Sequence, residues 1–165
     1  MFGSPRNRIR GALPMDAAGE LAVGFFVELG RIADDHGVCV CIEPLPASLG
    51  CDFIHCVADA KALVDQVQSP GLGLHLDASS MHSNREDAHR LISESIAQVR
   101  HFHISEVGYG AFGSTDVDHQ RFALALRSAN YQNVASIEMI GDPNGGNRTS
   151  VLASVANARE IYLGH

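Results

Sequence analysis

Strand-like and helix-like patterns alternate along nearly the whole chain, and this alternation limits its fold more than any other feature. Apolar residues at helical spacing run through "AAGELAVGFFVELGRIADDHG" (17–37) and stop at Gly37, a residue suited to a helix C-cap. "VCVCIEPL" (38–45) predicts a strand ended by Pro44, and "HCVADAKALVDQVQ" (55–68) a helix broken at Pro70-Gly71. "LGLHLDAS" (72–79) predicts a strand and "REDAHRLISESIAQ" (85–98) a helix with Ala88, Leu91, Ile92 and Ser95/Ile96 as its inner stripe. "VRHFHISE" (99–106) predicts a third strand, followed by a loop of glycines and acids and a helix over "DHQRFALALRSAN" (118–130). "NVASIEMI" (133–140) is a strand, "GDPNGGNRT" (141–149) a linker, and "TSVLASVANAREIYL" (149–163) a closing helix. Five βα-type segments, the first one partial, predict parallel βαβ units in one α/β domain over residues 1–165.

The strands end in an unusual way. Residues two apart on a strand share a face. Cys39, Cys41 and Glu43 therefore share one, as do His75 with Asp77, His101 with His103, and Ser136 with Glu138. The opposite faces carry Val38, Val40 and Ile42; Leu74 and Leu76; Phe102 and Ile104; Ala135 and Ile137. A parallel strand buried on both sides reads as a continuous apolar run, so a repeated polar ending is not explained by folding alone. Glu43, Asp77, His103 and Glu138 follow one another at spacings of 34, 26 and 35 residues. A parallel barrel has roughly 30 residues per βα unit and gathers its active site at the C-terminal strand ends. The spacing puts one ligand-type residue on each of four successive strands.

Two glutamates, an aspartate and a histidine brought to one point repel one another unless a cation lies between them. Oxygen donors with one imidazole suit Mn²⁺, Mg²⁺ or Co²⁺, with Zn²⁺ a further candidate. The plainer alternative makes each a salt-bridged or rim residue, which explains one of them alone but poorly explains four in register. His75 and His101 lie one inward-facing position deeper and read as hydrogen-bonded core histidines before ligands. His75, together with His82 and Glu106 on loops beside the mouth, is also a candidate substrate contact, although rim solvation accounts equally well for the last two. His36, His55, His89, His119 and His165 read as surface or helix-end residues.

Other classes are argued against by what the sequence carries. The net charge of −7 comes without a run of Lys or Arg, which argues against nucleic acid and anionic membrane as partners. There is no run of 18 apolar residues, and "MFGSPRNRIRG" has no apolar stretch of the secretory kind, so a cytoplasmic location is expected. Cys39, Cys41, Cys51 and Cys56 read as small buried hydrophobes, because no CxxC pair is present and two of them share a strand. "GYGAFG" (108–113) fits a dinucleotide pattern, but "STDV" separates it from the next helix, so the match is weak. No GxSxG motif and no P-loop lysine occur.

"FGSPRNR", "CIEPLP…GCDFI", "GLGLHLDAS", "HFHISE", "VDHQRFALALRSANY" and "ASIEM" resemble, in order and over nearly all of the chain, the sugar phosphate isomerase/epimerase family of xylose isomerase-like TIM barrels. The resemblance implies the C-terminal part, about half, of a (β/α)8 barrel with helices outside parallel strands. It implies a divalent metal on Glu43, Asp77, His103 and Glu138, the four positions that strand alternation selects. It also implies that Glu43 and Glu138 form the acid/base pair of a sugar, sugar phosphate or polyol ketone isomerase or epimerase. Inosose dehydratases and abasic-site endonucleases share the barrel, and a non-catalytic half barrel that binds a partner chain is the reading from another class.

The chain departs from the family pattern at Ser80, where a histidine is frequent, and near Leu49 and Tyr109, where the epimerases carry a glutamate and an arginine. These departures argue against ketose 3-epimerisation in particular and leave the metal ligands in place. "FGSP" resembles the end of a fourth barrel strand, so three and a half βα units are expected to be absent. The chain is then expected to be inactive alone and to associate, as a homo-oligomer or an intermolecular barrel. Open strand edges and inner positions such as Cys39, Cys41 and Leu49 would face solvent or another chain.

Overall fold

The computed structural model describes residues 4–141 and 145–164. Phe2 and Gly3 of the "FGSP" motif, Asp142, Pro143 and Asn144 of the linker, and His165 lie outside the described residues. The elements are α1 (Met15–Asp35), β1 (Val40–Ile42), α2 (Val57–Val67), β2 (Leu72–Asp77), α3 (Ala78–Ser83), α4 (Ala88–Ser95), β3 (Val99–Ser105), α5 (His119–Ser128), β4 (Val134–Glu138) and α6 (Asn147–Ala158). A π-helical turn, Arg159–Leu163, continues α6. The strands form one parallel sheet in the order β1-β2-β3-β4. Barrel connectivity requires strand order to follow the chain in this way, whereas a doubly wound sheet reverses it at a switch point.

Two compact units divide the chain. The first runs to Leu76 and takes in Ala97–His101. In it, α1 buries Ala18, Phe26, Gly30 and Ala33. The helix ends near the expected glycine: Gly37, at φ +65°, donates to Asp34 O at 2.9 Å, and Val38 N–H returns to Ala33 O. The turn before β2 comes so close to α1 that a Cβ on Gly71 would lie 2.1 Å from Gly30 O, so only glycine fits there. β1 pairs with β2 in register Val40↔Leu72, Cys41↔Gly73 and Ile42↔Leu74.

β1 is shorter than the sequence pattern predicts, and the face assignment fails at its start. Val38 is 58% exposed and Cys39 is exposed, because both precede the first paired residue. Cys41 is buried instead of facing solvent, and Leu49 is exposed as expected. Desolvation by burial comes first in raising the Cys41 thiol to about 11, with Cys39 adding to it, so Cys41 stays a neutral thiol at pH 7. Cys51 is buried and Cys56 half-buried.

The second unit comprises Asp77–Ile96 and the chain from Phe102 onward. α4 buries Ala88, Leu91, Ile92 and Ser95, and of the expected pair Ser95/Ile96 it is the serine that points inward. The helix starts three residues later than the pattern suggests, where the Asp87 side chain caps Arg90 N–H. Asp118 caps α5 in the same way through Arg121 N–H at 3.0 Å. The strand predicted to reach Ser79 ends at Asp77, because the Asp77 carboxylate caps a helix that starts at once. "GYGAFG" lies in the β3–α5 loop and opens no helix, α5 beginning only at His119.

Candidate metal centre

Asp77 is 1% exposed and held from several sides. Its Oδ1 accepts from Ser80 N–H at 2.7 Å and from the Ser79 hydroxyl at 2.8 Å. Its Oδ2 accepts from the Ser105 hydroxyl at 2.5 Å. Ser105 Oγ in turn accepts from Ser79 N–H at 3.1 Å. A buried carboxylate with this many donors is held in one orientation. Ser80, where the family resemblance led to the expectation of a histidine, holds Asp77 through its main chain.

His103 stands on β3, two residues before Ser105 and on the same face. Its Nδ1 is 3.2 Å from Glu138 Oε2 and 3.8 Å from Asp77 Oδ2. Ligand atoms of Asp77, His103 and Glu138 lie within 4.8 Å of one another. Two carboxylate oxygens and an imidazole nitrogen this close match the donor set of Mn²⁺, Mg²⁺, Co²⁺ or Zn²⁺. The serine bonds on Asp77 supply the orientation that outer partners give a metal ligand. The three residues therefore fit a divalent ion.

Glu43 and His75 belong to the first unit. Glu43 is 4% exposed, and its main-chain oxygen accepts from Arg8 Nη2 at 2.8 Å. Burial lowers the pKa of Arg8, with the Glu43 charge partly restoring it. His75 Nδ1 lies 3.8 Å from Glu43 Oε2, and its ring meets His101 edge-on at 5.1 Å. His75 is completely buried, as the reading of a packed core histidine expects.

The loop residues separate. His82 is half-buried, with Nε2 3.4 Å from the exposed carboxylate of Asp116. Glu106 is 1% exposed instead of solvated at a rim. Its carboxylate accepts from Gly113 N–H at 2.5 Å, Thr115 N–H at 3.2 Å, the Thr115 hydroxyl, and His119 Nε2–H at 2.9 Å. Burial alone would raise its pKa; the Thr115, Gly113 and His119 bonds outweigh that and hold it below the ordinary value. Occupied in this way, the Glu106 carboxylate holds the β3–α5 loop. His119 is likewise buried, not on the surface, at the start of α5.

Sequence reasoning missed the work of Ser105, Ser79 and Arg8. Ser105 carried a signal, since it shares the face of His101 and His103. Arg8 carried none beyond its place in a family motif.

The sheet order and the carboxylate–imidazole cluster define an α/β barrel-type domain with a candidate divalent-metal centre. The chain belongs to the xylose isomerase-like TIM barrel family, whose model matches residues 11–160. Its fold is that of the C-terminal part, about half, of such a barrel. A ketose 3-epimerase from Arthrobacter globiformis is 28% identical over 113 residues, which cover 67% of this chain and 39% of that protein. The crystal structure of D-psicose 3-epimerase with D-tagatose from Clostridium cellulolyticum H10 superposes with a TM-score of 0.80 at 18% identity, over 92% of this chain and 59% of that one. An AP endonuclease, family 2, from Brucella melitensis superposes at 0.75 and 22% identity, over 90% and 57%. The chain thus spans well under two thirds of the length of these proteins. Among the described residues, no helix is long and apolar enough to cross a membrane.

Proposed function

We propose that this chain carries the metal-binding part of a divalent-metal-dependent isomerase or epimerase acting on a sugar, sugar phosphate or related polyol ketone. The observation that carries this reading is the convergence of Asp77, His103 and Glu138 within 4.8 Å at the polar strand ends of a xylose isomerase-like barrel. The family resemblance supports adding Glu43 as the fourth ligand. The epimerase names of the relatives support the reaction class.

When bound, a divalent ion polarises a carbonyl and its neighbouring hydroxyl and lowers the cost of an enediolate. Asp77 is held in one orientation by its serine and main-chain donors. Glu43 and Glu138 are the acid/base pair: one removes the proton alpha to the carbonyl, and the other returns it to the opposite face. The Glu138 side chain is 37% exposed, so a substrate can reach it. His82, half-buried near the loops, is the candidate for contact with substrate hydroxyls.

The test has two stages. Mn²⁺ titration of the chain, followed by loss of the free-ion EPR signal, should show binding that Asp77→Asn abolishes. In the natural protein that carries this chain, exchange of substrate carbon-bound hydrogen with solvent should vanish in Glu43→Gln and in Glu138→Gln, assayed on a panel of ketoses and their phosphates. Exchange that persists in both variants would refute the mechanism. Turnover of abasic DNA with no sugar exchange would favour the nuclease chemistry of the same barrel.

A further inference from the structure

We propose that Glu106 is a positioning residue for Glu138, acting through the loop that it grips. The inference rests on the proposed function only for the importance of Glu138; the geometry stands by itself. The β3–α5 loop gathers around the buried Glu106 carboxylate through Gly113, Thr115 and His119. The partners assign one tautomer to His119: Nε2–H donates to Glu106, and Nδ1 accepts from the Tyr162 hydroxyl at 2.8 Å. The same ring stacks on Phe112 of the loop, with centroids 4.3 Å apart. The latch thus joins the end of β3, the loop, the start of α5 and the turn after α6.

The grip continues along the main chain toward Glu138. Tyr109 N–H donates to Glu106 O at 2.8 Å, and Tyr109 O accepts from Ile140 N–H at 2.8 Å. Tyr109 has φ +60°, a left-handed turn that aims its carbonyl away from the loop. Ile140 lies two residues past Glu138, beyond the end of β4. Phe112 N–H also reaches Ser154 Oγ on α6 at 3.2 Å, and Ser154 is 2% exposed. β4 is last in the sheet order, so among the described residues it has a neighbouring strand on one side only. Its far end is tied down by the loop, and the loop by Glu106. Weakening that carboxylate should let the main chain beside Glu138 move and loosen the 3.2 Å approach to His103.

Hydrogen exchange on the full chain tests this without any ligand. In Glu106→Gln, amides of Gly113, Thr115 and Ile140 should exchange about tenfold faster, a change of about 1.4 kcal/mol in local opening, with Leu74 N–H unchanged. Thr115→Val, which removes only the hydroxyl donor, should move the same amides less and serves if the first variant does not fold. Acceleration that stops at Gly113 and Thr115 overturns the proposal, since the grip then ends at the loop. Equal acceleration that includes Leu74 also overturns it, since Glu106 then holds the fold as a whole. Mn²⁺ affinity should fall about 10- to 100-fold in Glu106→Gln. Unchanged affinity beside a faster Ile140 overturns the link to Glu138. If the unsubstituted chain takes up no Mn²⁺, the metal reading fails, and the exchange at Ile140 still decides the positioning role.

Discussion

Asp77 and Glu138 end two strands of one sheet with the same chemical group in opposite surroundings. Every residue of β2 is buried, and Asp77 has donors on both oxygens. β4 starts exposed and becomes no more than half-buried, and the Glu138 side chain is 37% exposed with His103 as its partner. Behind β4, the side chains of Ile104, Ile137, Val151, Val155 and Tyr162 line a cavity of about 470 Å³ instead of closing on one another. A carboxylate is fixed where its strand is packed and its oxygens are satisfied. Where packing is open, the same group keeps more freedom to move.

Side-chain truncation tests the packing half of this contrast and should give the largest effect. Leu76 is completely buried, and Leu76→Ala should cost about 2–5 kcal/mol. Ile137, half-buried on β4, should cost about 1 kcal/mol on truncation to Ala, since full burial of such a side chain is worth about 1.5–3 kcal/mol. Urea unfolding midpoints of the two variants measure the difference. Equal losses would show that β4 is packed as tightly as β2, and the contrast would collapse.

The hydrogen bonds come next. Ser105→Ala removes the hydroxyl that donates to Asp77 and strands Ser79 N–H, a loss of about 1–3 kcal/mol. Glu138→Gln, at a half-exposed site, should stay within about 0.5 kcal/mol of the unsubstituted chain. A Glu138 variant that destabilises as much as the Ser105 variant would mean that Glu138 is as firmly held as Asp77.

The smallest effect is graded with pH. Burial, opposed in part by Glu106, holds His119 below its ordinary value of 6.5. The folded chain therefore takes up that proton less readily than the unfolded one, so stability is full above pH 6.5 and declines as pH falls. Glu106 is held below its ordinary 4.5, so its contribution is present above that value and is lost as pH falls through the lower folded value. Unfolding midpoints should decline gently from pH 6.5 and again below 4.5, and Glu106→Gln should flatten the second decline. An unaltered acid limb in that variant would remove Glu106 from the account of the second unit's stability.

Asp77, His103 and Glu138 were legible because alternation along a strand is a local rule. A polar residue at an inward position near a strand end stands out without knowledge of its neighbours. Helix α3 was illegible for a related reason. The Asp77 side chain serves both the strand end and the helix cap, and a pattern that continues the strand to Ser79 cannot see the cap. His119 and Tyr162 lie 43 residues apart and read separately as a helix-end histidine and a residue of the closing helix.

Periodicity by itself determined the α/β class, the order of the strands and the face on which Asp77, His103 and Glu138 stand, since these depend on residues two to four apart. Tertiary structure alone decided which carboxylates are locked and which are free, because hydrogen-bond donors arrive from distant parts of the chain. Asp77 takes its Oδ2 donor from Ser105. Glu106 takes its own from Gly113, Thr115 and His119. The burial of both depends on packing that no local pattern encodes.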